Sequence, residues 1–231
     1  MGVCASPSEA MGCAEMTDLI DRAADTALPA GKRRPRVSRV VRRQHFLAAA
    51  GAVFATRGYH ATTVDDVCRR AGFSKPVLYD YFPSKLDLYL EVLQSHLEAL
   101  MSSVRAALCS TTDNQQRVRA AVQAYFDFVD DEVEGFRMVF ESSVVDEPSV
   151  QWQIDRAKEA CVDAVFDVVA HDSGLDPQRA RILAVGLVGV SEFTARHWLQ
   201  TARPVPKNEA VDMTVALCWG GLSRVPLSAT P

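Results

Sequence analysis

The chain has 231 residues, of which 48% are hydrophobic and 23% charged, and its net charge is −4. These values fit a soluble protein with one small and one larger domain and an ample packed core. Taken alone, the net negative charge argues against a nucleic-acid partner. The longest strongly apolar run, 182–190, is too short to span a bilayer, and the first 30 residues lack the features of a signal peptide. We therefore expect a cytoplasmic protein without a membrane partner. The six cysteines lie far apart and predict neither a disulfide framework nor a zinc site.

The charges are distributed unevenly along the chain. Residues 32–85 contain 12 lysines and arginines against three acidic residues, a net charge of +9, whereas residues 86–231 carry −9. A basic segment on an acidic body is typical of a DNA-binding domain joined to a domain with a different partner.

The first predicted element is an arm, residues 1–37, which is polar, contains prolines and ends in a basic cluster. We expect this arm to be disordered, and to have either a contact with the DNA backbone or no role. A helical period starts at Ser38, and Gly58 is expected to end that helix in a left-handed conformation.

Two short helices joined by a tight turn come next. Thr63 and Asp66 have the spacing of a capping box, Gly72 makes the turn, and Ser74 precedes a helix with Pro76 in its first turn. This pattern predicts a helix-turn-helix, whose second helix enters the DNA major groove. Residues 38–85 are therefore predicted to form a three-helix DNA-binding domain.

The rest of the chain is predicted to be helical. A long helix follows Ser84, and further candidate helices span 114–133, 135–143, 148–171, 177–201 and 207–222. No alternating strand pattern appears, so the predicted fold class is all-α, with residues 86–228 as a larger helical ligand-binding and dimerisation domain. Helices 148–171 and 177–201 are apolar on nearly every side, which indicates that a face meets another subunit. We expect a homodimer through helices 177–201 and 207–222.

Residues 54–89 resemble the DNA-binding domain of the TetR family of bacterial regulators. The matching positions are Gly58, Thr63, Ala71, Gly72, Ser74, Leu78, Tyr79, Phe82 and Lys85. The resemblance implies a double-stranded DNA operator as partner, base contacts from Lys75, Pro76 and Val77, and phosphate contacts from Thr63, Tyr79, Tyr81 and Lys85. Independently, Lys75 can donate to guanine and Val77 can contact a thymine methyl, while Arg42 and Arg43 add attraction to phosphates. Both tyrosines could instead pack the small domain.

The C-terminal half is similar to a subgroup of that family whose members activate a fatty acid synthase operon and leave DNA on binding long-chain acyl-CoA. The similarity lies in residues 110–118, 172–180, 184–190 and 219–227. It implies an apolar tunnel for an alkyl chain, and we expect effector contacts from Leu97, Met101, Phe126, Phe140 and Phe166. A basic mouth for the polyanionic head group could come from Arg105, Arg119, Arg137, Arg156, Arg179 and Arg181. A neutral hydrophobic effector, as in a repressor of an efflux or catabolic operon, is the alternative.

Other classes of protein receive less support. Asp127, Asp130, Asp131, Glu132 and Glu134 could hold Mg²⁺ in an all-helical enzyme, but a solvated helix surface explains the same residues. No phosphate-binding glycine loop or nucleophile motif accompanies them. We therefore expect no enzymatic activity, no catalytic residue, no metal and no cofactor.

Overall fold

The computed structural model describes residues 38–131, 133–140, 144 and 146–221. These residues form nine α-helices and no strand, which confirms the all-α prediction. The helices are α1 (Arg39–Ala61), α2 (Val64–Ala71), α3 (Lys75–Tyr79), α4 (Lys85–Cys109), α5 (Asn114–Asp131), α6 (Val133–Phe140), α7 (Pro148–Ser173), α8 (Pro177–Gln200) and α9 (Lys207–Gly220). The predicted arm 1–37, Glu132 of the predicted acidic cluster and the last part of the predicted second domain, 222–228, lie outside the described residues.

The ends of the first helices follow from local sequence. Gly58 has a φ of 75°, which interrupts α1 where the sequence predicted its end. Thr63 caps α2 through a complete capping box with Asp66. Ser74 occupies the N-cap position of α3, as its place before this helix predicted, and its side chain makes no cap hydrogen bond.

The three helices at the N-terminal end share one core. Phe46 of α1, Val67 of α2 and Leu78 of α3 are all completely buried, together with Phe82 just after α3. A helix of five residues has too few internal hydrogen bonds to persist alone. Burial of Leu78 and Phe82 therefore holds α3 in place and leaves its opposite face for solvent.

Helix α4 joins this small core to the larger helical body. It packs against α1, and also against α5 and α7. In the body, α7 packs on α8, and α5 contacts both α8 and α9. Helix α4 therefore packs both on the body and on α1 of the small core.

Helix α6 makes a second connection between body and small core. Arg137 donates to the backbone oxygen of Ala55 at 2.9 Å. At Gly135 the helix approaches α4 so closely that a Cβ atom there would lie 2.8 Å from Nδ1 of His96. Helix α6 therefore fits against α1 and α4 with no room for an added methyl group.

None of the helices within the described ranges combines the length and the apolar character that a membrane crossing needs.

Candidate DNA-binding surface and effector cavity

The solvent face of α3 carries the residues that the sequence predicted to read bases. Lys75 and Pro76 are exposed, whereas Val77 is half-buried and packs partly against the small core. Tyr79, at the end of α3, is 46% exposed. This face therefore presents one ammonium group, one phenol and a limited apolar surface.

Lys75 is paired within the chain. Its Nζ lies 2.9 Å from a carboxylate oxygen of Asp65 on α2. The hydrogen bond and the negative charge of Asp65 raise the pKa of Lys75 above its ordinary value. Lys75 is thus a cation at neutral pH and is held beside an acidic partner.

Thr63 uses its hydroxyl to cap α2. The hydroxyl donates to the Asp66 carboxylate at 2.6 Å, and it accepts from the backbone N–H of Asp66 at 3.2 Å. The bond from the hydroxyl and a second bond from the backbone N–H of Thr63 to the same carboxylate, together with Arg57, lower the pKa of Asp66 to about 2. Thr63 is exposed, but its hydroxyl proton is already donated to Asp66, so the hydroxyl can donate to a phosphate only by giving up that hydrogen bond.

Three arginines of α1 stack on aromatic rings of the small core. The guanidinium carbons of Arg39, Arg42 and Arg43 lie 5.5, 5.5 and 5.7 Å from the ring centres of Tyr81, Phe73 and Phe82 respectively. Arg43 also forms an ion pair with Glu91 of α4. These cation–π contacts hold the three guanidinium groups close to the faces of the rings.

Lys85 points inward. Its Nζ donates to the backbone oxygens of Tyr59 at 2.9 Å and Thr62 at 3.0 Å, and it lies 4.1 Å from the centre of the Tyr59 ring. Partial burial lowers its pKa. The structure therefore gives Lys85 a structural role at the end of α1, while the predicted phosphate contact stays a prediction.

The sequence left open whether Tyr79 and Tyr81 contact DNA or pack the small domain. The two residues differ in their surroundings. Tyr81 packs against Phe46, with ring centres 5.8 Å apart, and lies under Arg39. Tyr79 is the more exposed of the two. A packing role thus fits Tyr81, and a ligand contact fits Tyr79.

A cavity of about 340 Å³ lies in the helical body, between α4, α5, α7, α8 and α9. Its walls are mainly aliphatic, and its size falls within the range of small-molecule sites, ~300–1,000 Å³. Representative wall residues are Val104, Leu108, Val122, Val165, Val168 and Leu187. The cavity can hold an alkyl chain but offers few polar partners.

Polar residues lie at one end of the cavity, where α5 begins and α7 ends. Arg117 donates to Asp172 at 2.6 Å and to Asn114 at 2.9 Å, and its Nε donates to the backbone oxygen of Thr111 at 2.7 Å. Arg117, Asn114 and Asp172 all line the cavity. This cluster links the two helices across that end.

A buried polar pair lies along the wall. Tyr125, which lines the cavity, is hydrogen-bonded to the thiol of Cys161. Burial raises the pKa of both groups, so both are neutral and unreactive at pH 7. Close to this pair, the largely buried carboxylate of Glu192 forms an ion pair with Lys158 at 3.0 Å.

The five predicted effector residues lie elsewhere in the body. Leu97 and Phe126 are almost fully buried, while Met101, Phe140 and Phe166 are half-buried and pack on the same core. None of them lines the cavity described above. Their predicted contact with an effector stays a prediction, and the cavity residues were not singled out by sequence because single valines carry no distinctive signal.

The six arginines proposed as a basic mouth have other partners or lie apart from the cavity. Arg119 pairs with Asp212 at 2.5 Å, Arg181 with Asp163 and Glu159, and Arg156 stacks on Trp152. The cation that lines the cavity is Arg117, which the sequence did not point to.

Two of the acidic residues considered for magnesium, Asp127 and Asp130, are used in ion pairs. Asp130 pairs with Arg203 at 2.7 Å and with Lys207 at 3.1 Å, and Asp127 pairs with Lys207 at 2.9 Å. Within the described ranges, no three His, Cys, Asp or Glu side chains are grouped as metal ligands. These carboxylates connect α5 to Arg203, which lies between α8 and α9, and to Lys207 at the start of α9.

Large apolar side chains are exposed along one face of α8 and α9. On α8 they are Ile182, Leu183, Val185 and Phe193, and on α9 they are Met213, Leu217 and Trp219. Gly186 on the same stripe of α8 has no atom within 4 Å of a Cβ position. An apolar surface of this extent is typical of an interface with another chain.

Comparison with known proteins agrees with this arrangement. Residues 46–92 match the model of the bacterial regulatory proteins of the tetR family, and residues 114–221 match a tetracyclin repressor-like C-terminal domain. The HTH-type transcriptional activator FasR of Mycolicibacterium smegmatis is 52% identical over 221 residues, covering 92% of this chain and 99% of FasR.

Solved structures show the same fold. A TetR-like transcriptional regulator from Rhodococcus sp. RHA1 has a TM-score of 0.67 at 24% identity, over 81% of this chain and 99% of its own. The transcriptional regulator FadR from Bacillus subtilis, in complex with stearoyl-CoA, has a TM-score of 0.65 at 15% identity, over 78% and 98%. Regulators of this family bind operator DNA and act as dimers. The chain belongs to the TetR family of bacterial transcriptional regulators, and it is a DNA-binding regulator rather than an enzyme.

Proposed function

We propose that the protein regulates genes of fatty acid or lipid synthesis, and that a long-chain acyl-CoA releases it from its operator. The observation that carries the proposal is the aliphatic cavity of about 340 Å³ in a chain that is 52% identical to the activator FasR. An alkyl chain gains free energy in such walls at ~0.8 kcal/mol per buried CH₂ group. Longer chains should therefore bind more tightly until the cavity is full.

The position of the cavity supports coupling to DNA. Its walls include α4, which also packs against α1, so an occupant that separates α4 from α7 would displace the helix-turn-helix. A dimer binds half-sites about one helical turn of DNA apart or a multiple of that, and a change of a few ångströms in the spacing of its two reading heads weakens binding.

The polar end suggests where a head group would leave the cavity. Arg117 provides a guanidinium group next to Asn114, so an acyl carbonyl or a phosphate could replace Asp172 as its partner.

For the DNA surface we propose that Lys75, Pro76, Val77 and Tyr79 face the major groove, and that Arg42 binds phosphate. Support comes from the exposure of Lys75, Pro76 and Tyr79 on α3, where Val77 is half-buried, and from the cation–π contact that holds Arg42 beside Phe73. Four further residues are proposed only as secondary DNA contacts, because each already makes a contact that stabilises the fold. They are Arg43, Thr63, Tyr81 and Lys85. For the dimer we propose the exposed apolar face of α8 and α9, with a second copy of the chain as its partner.

The test fills the cavity. Val168→Trp places an indole among the wall residues, and Asp167→Trp places the same group on the exposed side of the same helix as a matched control. We expect palmitoyl-CoA to raise the melting temperature of the wild-type protein and of Asp167→Trp but not of Val168→Trp. A ligand at ~100 times its dissociation constant adds ~2.7 kcal/mol, which thermal unfolding resolves easily. Equal stabilisation of all three proteins would mean that the acyl chain does not bind in this cavity.

A further inference from the structure

The pairing of Lys75 with Asp65 joins the recognition helix to the helix before it. Asp65 lies in the first turn of α2, and its carboxylate is 2.9 Å from Nζ of Lys75. Its neighbour Asp66 is occupied by the cap of α2 and by Arg57 and Arg69. Asp65 is thus the acidic residue of α2 that faces the recognition helix.

The pair contributes little to stability. The two side chains are 58% and 49% exposed, and ion pairs at this exposure are weakened by water and salt. Its effect on DNA binding is larger, because a carboxylate beside the reading residue meets a polyanion whenever the protein docks. A carboxylate at the position of Asp65 therefore weakens DNA binding, unless it also contributes to the recognition of bases.

An ammonium group has three donors and can serve two partners at once. With one donor on Asp65, Lys75 keeps two for the O6 and N7 acceptors of a guanine edge. If Lys75 turns to a phosphate instead, Asp65 loses its partner and stays close to the negative backbone. The ion pair therefore favours the position in which Lys75 donates to the guanine edge over the position in which it binds phosphate.

We propose, building on the base-reading role proposed above for Lys75, that Asp65 is a positioning residue for specificity. It holds the ammonium of Lys75 toward the base edges and penalises complexes in which that ammonium binds phosphate. Asp65 thereby lowers the affinity for unrelated DNA more than the affinity for the operator.

The test compares two duplexes. The first is selected from a random duplex library by the wild-type protein, and the second has the same composition in scrambled order. Dissociation constants for both are measured by fluorescence anisotropy at several salt concentrations. The variants are Asp65→Asn, Asp65→Glu, Lys75→Ala and the double variant Asp65→Asn/Lys75→Ala, with melting temperatures as a check on folding.

We expect Asp65→Asn to bind the scrambled duplex about three- to tenfold more tightly while binding of the selected duplex changes less, so that discrimination falls by that factor. Asp65→Glu, which keeps the charge, should restore discrimination. In the Lys75→Ala background, Asp65→Asn should improve binding to both duplexes by the same factor.

Two outcomes separate this inference from the proposal on which it is built. If Lys75→Ala discriminates as well as the wild type, Lys75 does not read bases and the proposed DNA contact is wrong. If Lys75→Ala loses discrimination but Asp65→Asn keeps it, the contact stands and the role of Asp65 is refuted. Equal tightening of both duplexes by Asp65→Asn in the wild-type background also refutes it, since that result reflects charge alone.

Discussion

Truncation of Phe193 should separate the dimer into folded monomers. Phe193 lies on the apolar face of α8 and is 69% exposed in a single chain, among other exposed apolar residues of α8 and α9. Because it packs on little within its own chain, Phe193→Ala should leave the fold of one protomer nearly unchanged, within ~0.5 kcal/mol. Any large effect must come from contact with a second copy.

The size of the effect follows from the exposed area. A phenylalanine side chain buries about 200 Å², and 69% of this is roughly 140 Å², or ~3.5 kcal/mol at ~25 cal/mol per Å². Alanine retains part of this burial energy, so each substitution removes somewhat less. A two-fold dimer contains the contact twice, so the free energy of dimerisation weakens by about 4–6 kcal/mol in total. The dimer dissociation constant should therefore rise about a thousandfold or more, at ~1.4 kcal/mol per factor of ten.

The assay is sedimentation velocity over a concentration series, with melting temperature as a check on the fold. Trp152→Ala is the matched control, because Trp152 is also a large exposed aromatic residue, at 58%, but lies near the start of α7. We expect Phe193→Ala to be monomeric at concentrations where the wild type and Trp152→Ala are dimers. Its affinity for a two-half-site operator should fall as well, since each monomer then binds one half-site.

The reasoning would be refuted if Phe193→Ala kept the wild-type dissociation constant while Trp152→Ala raised it. That result would place the contact between subunits at the start of α7 instead of on α8 and α9.

Three further predictions concern the small domain and its junction with the body. Lys85→Met removes two hydrogen bonds to backbone oxygens and should lower the free energy of unfolding by about 1–3 kcal/mol in urea, with a loss of DNA affinity no larger than the loss of folded protein. Loss of operator affinity at full folding would instead reveal a phosphate contact. The pKa of Asp66 is lowered to about 2, so its contribution to stability is present above pH ~4 and is lost as the pH falls toward 2; the melting temperature of Asp66→Asn should change less over this range than that of the wild type. Gly135→Ala would place a Cβ 2.8 Å from His96 and should destabilise the protein by about 1–2 kcal/mol despite the better helix propensity of alanine, as measured by chemical unfolding.

Much of the fold could be predicted from local sequence. Periodic leucines and valines, with prolines and aspartates at the helix starts, placed the five helices after α4 to within three residues. Thr63 with Asp66, and the glycines at 58 and 72, marked the breaks around α2, because capping boxes and left-handed glycines act over only a few residues.

The site could be predicted only in part, because its geometry depends on contacts between distant segments. Arg117 meets Asp172, which is 55 residues away, and nothing near either residue signals that pairing. Lys85 looks like a phosphate ligand in a basic segment, yet it turns to backbone oxygens at the end of α1. Leu97 and Phe126 were candidates for an effector contact because their side chains are large and apolar. Such side chains are mostly buried in the core, and both of these are. The cavity lies instead between smaller side chains, many of them valines.

Release from DNA tests the account most directly. The preformed complex of the wild-type protein with a selected, fluorescently labelled duplex is titrated at fixed salt with acetyl-, octanoyl-, palmitoyl- and stearoyl-CoA, and anisotropy reports the bound fraction. The account predicts that the long-chain forms release the duplex at low concentration, that acetyl-CoA does not, and that Val168→Trp stays bound with all four. Release by every chain length at the same concentration, or release of Val168→Trp as readily as of the wild type, would contradict it.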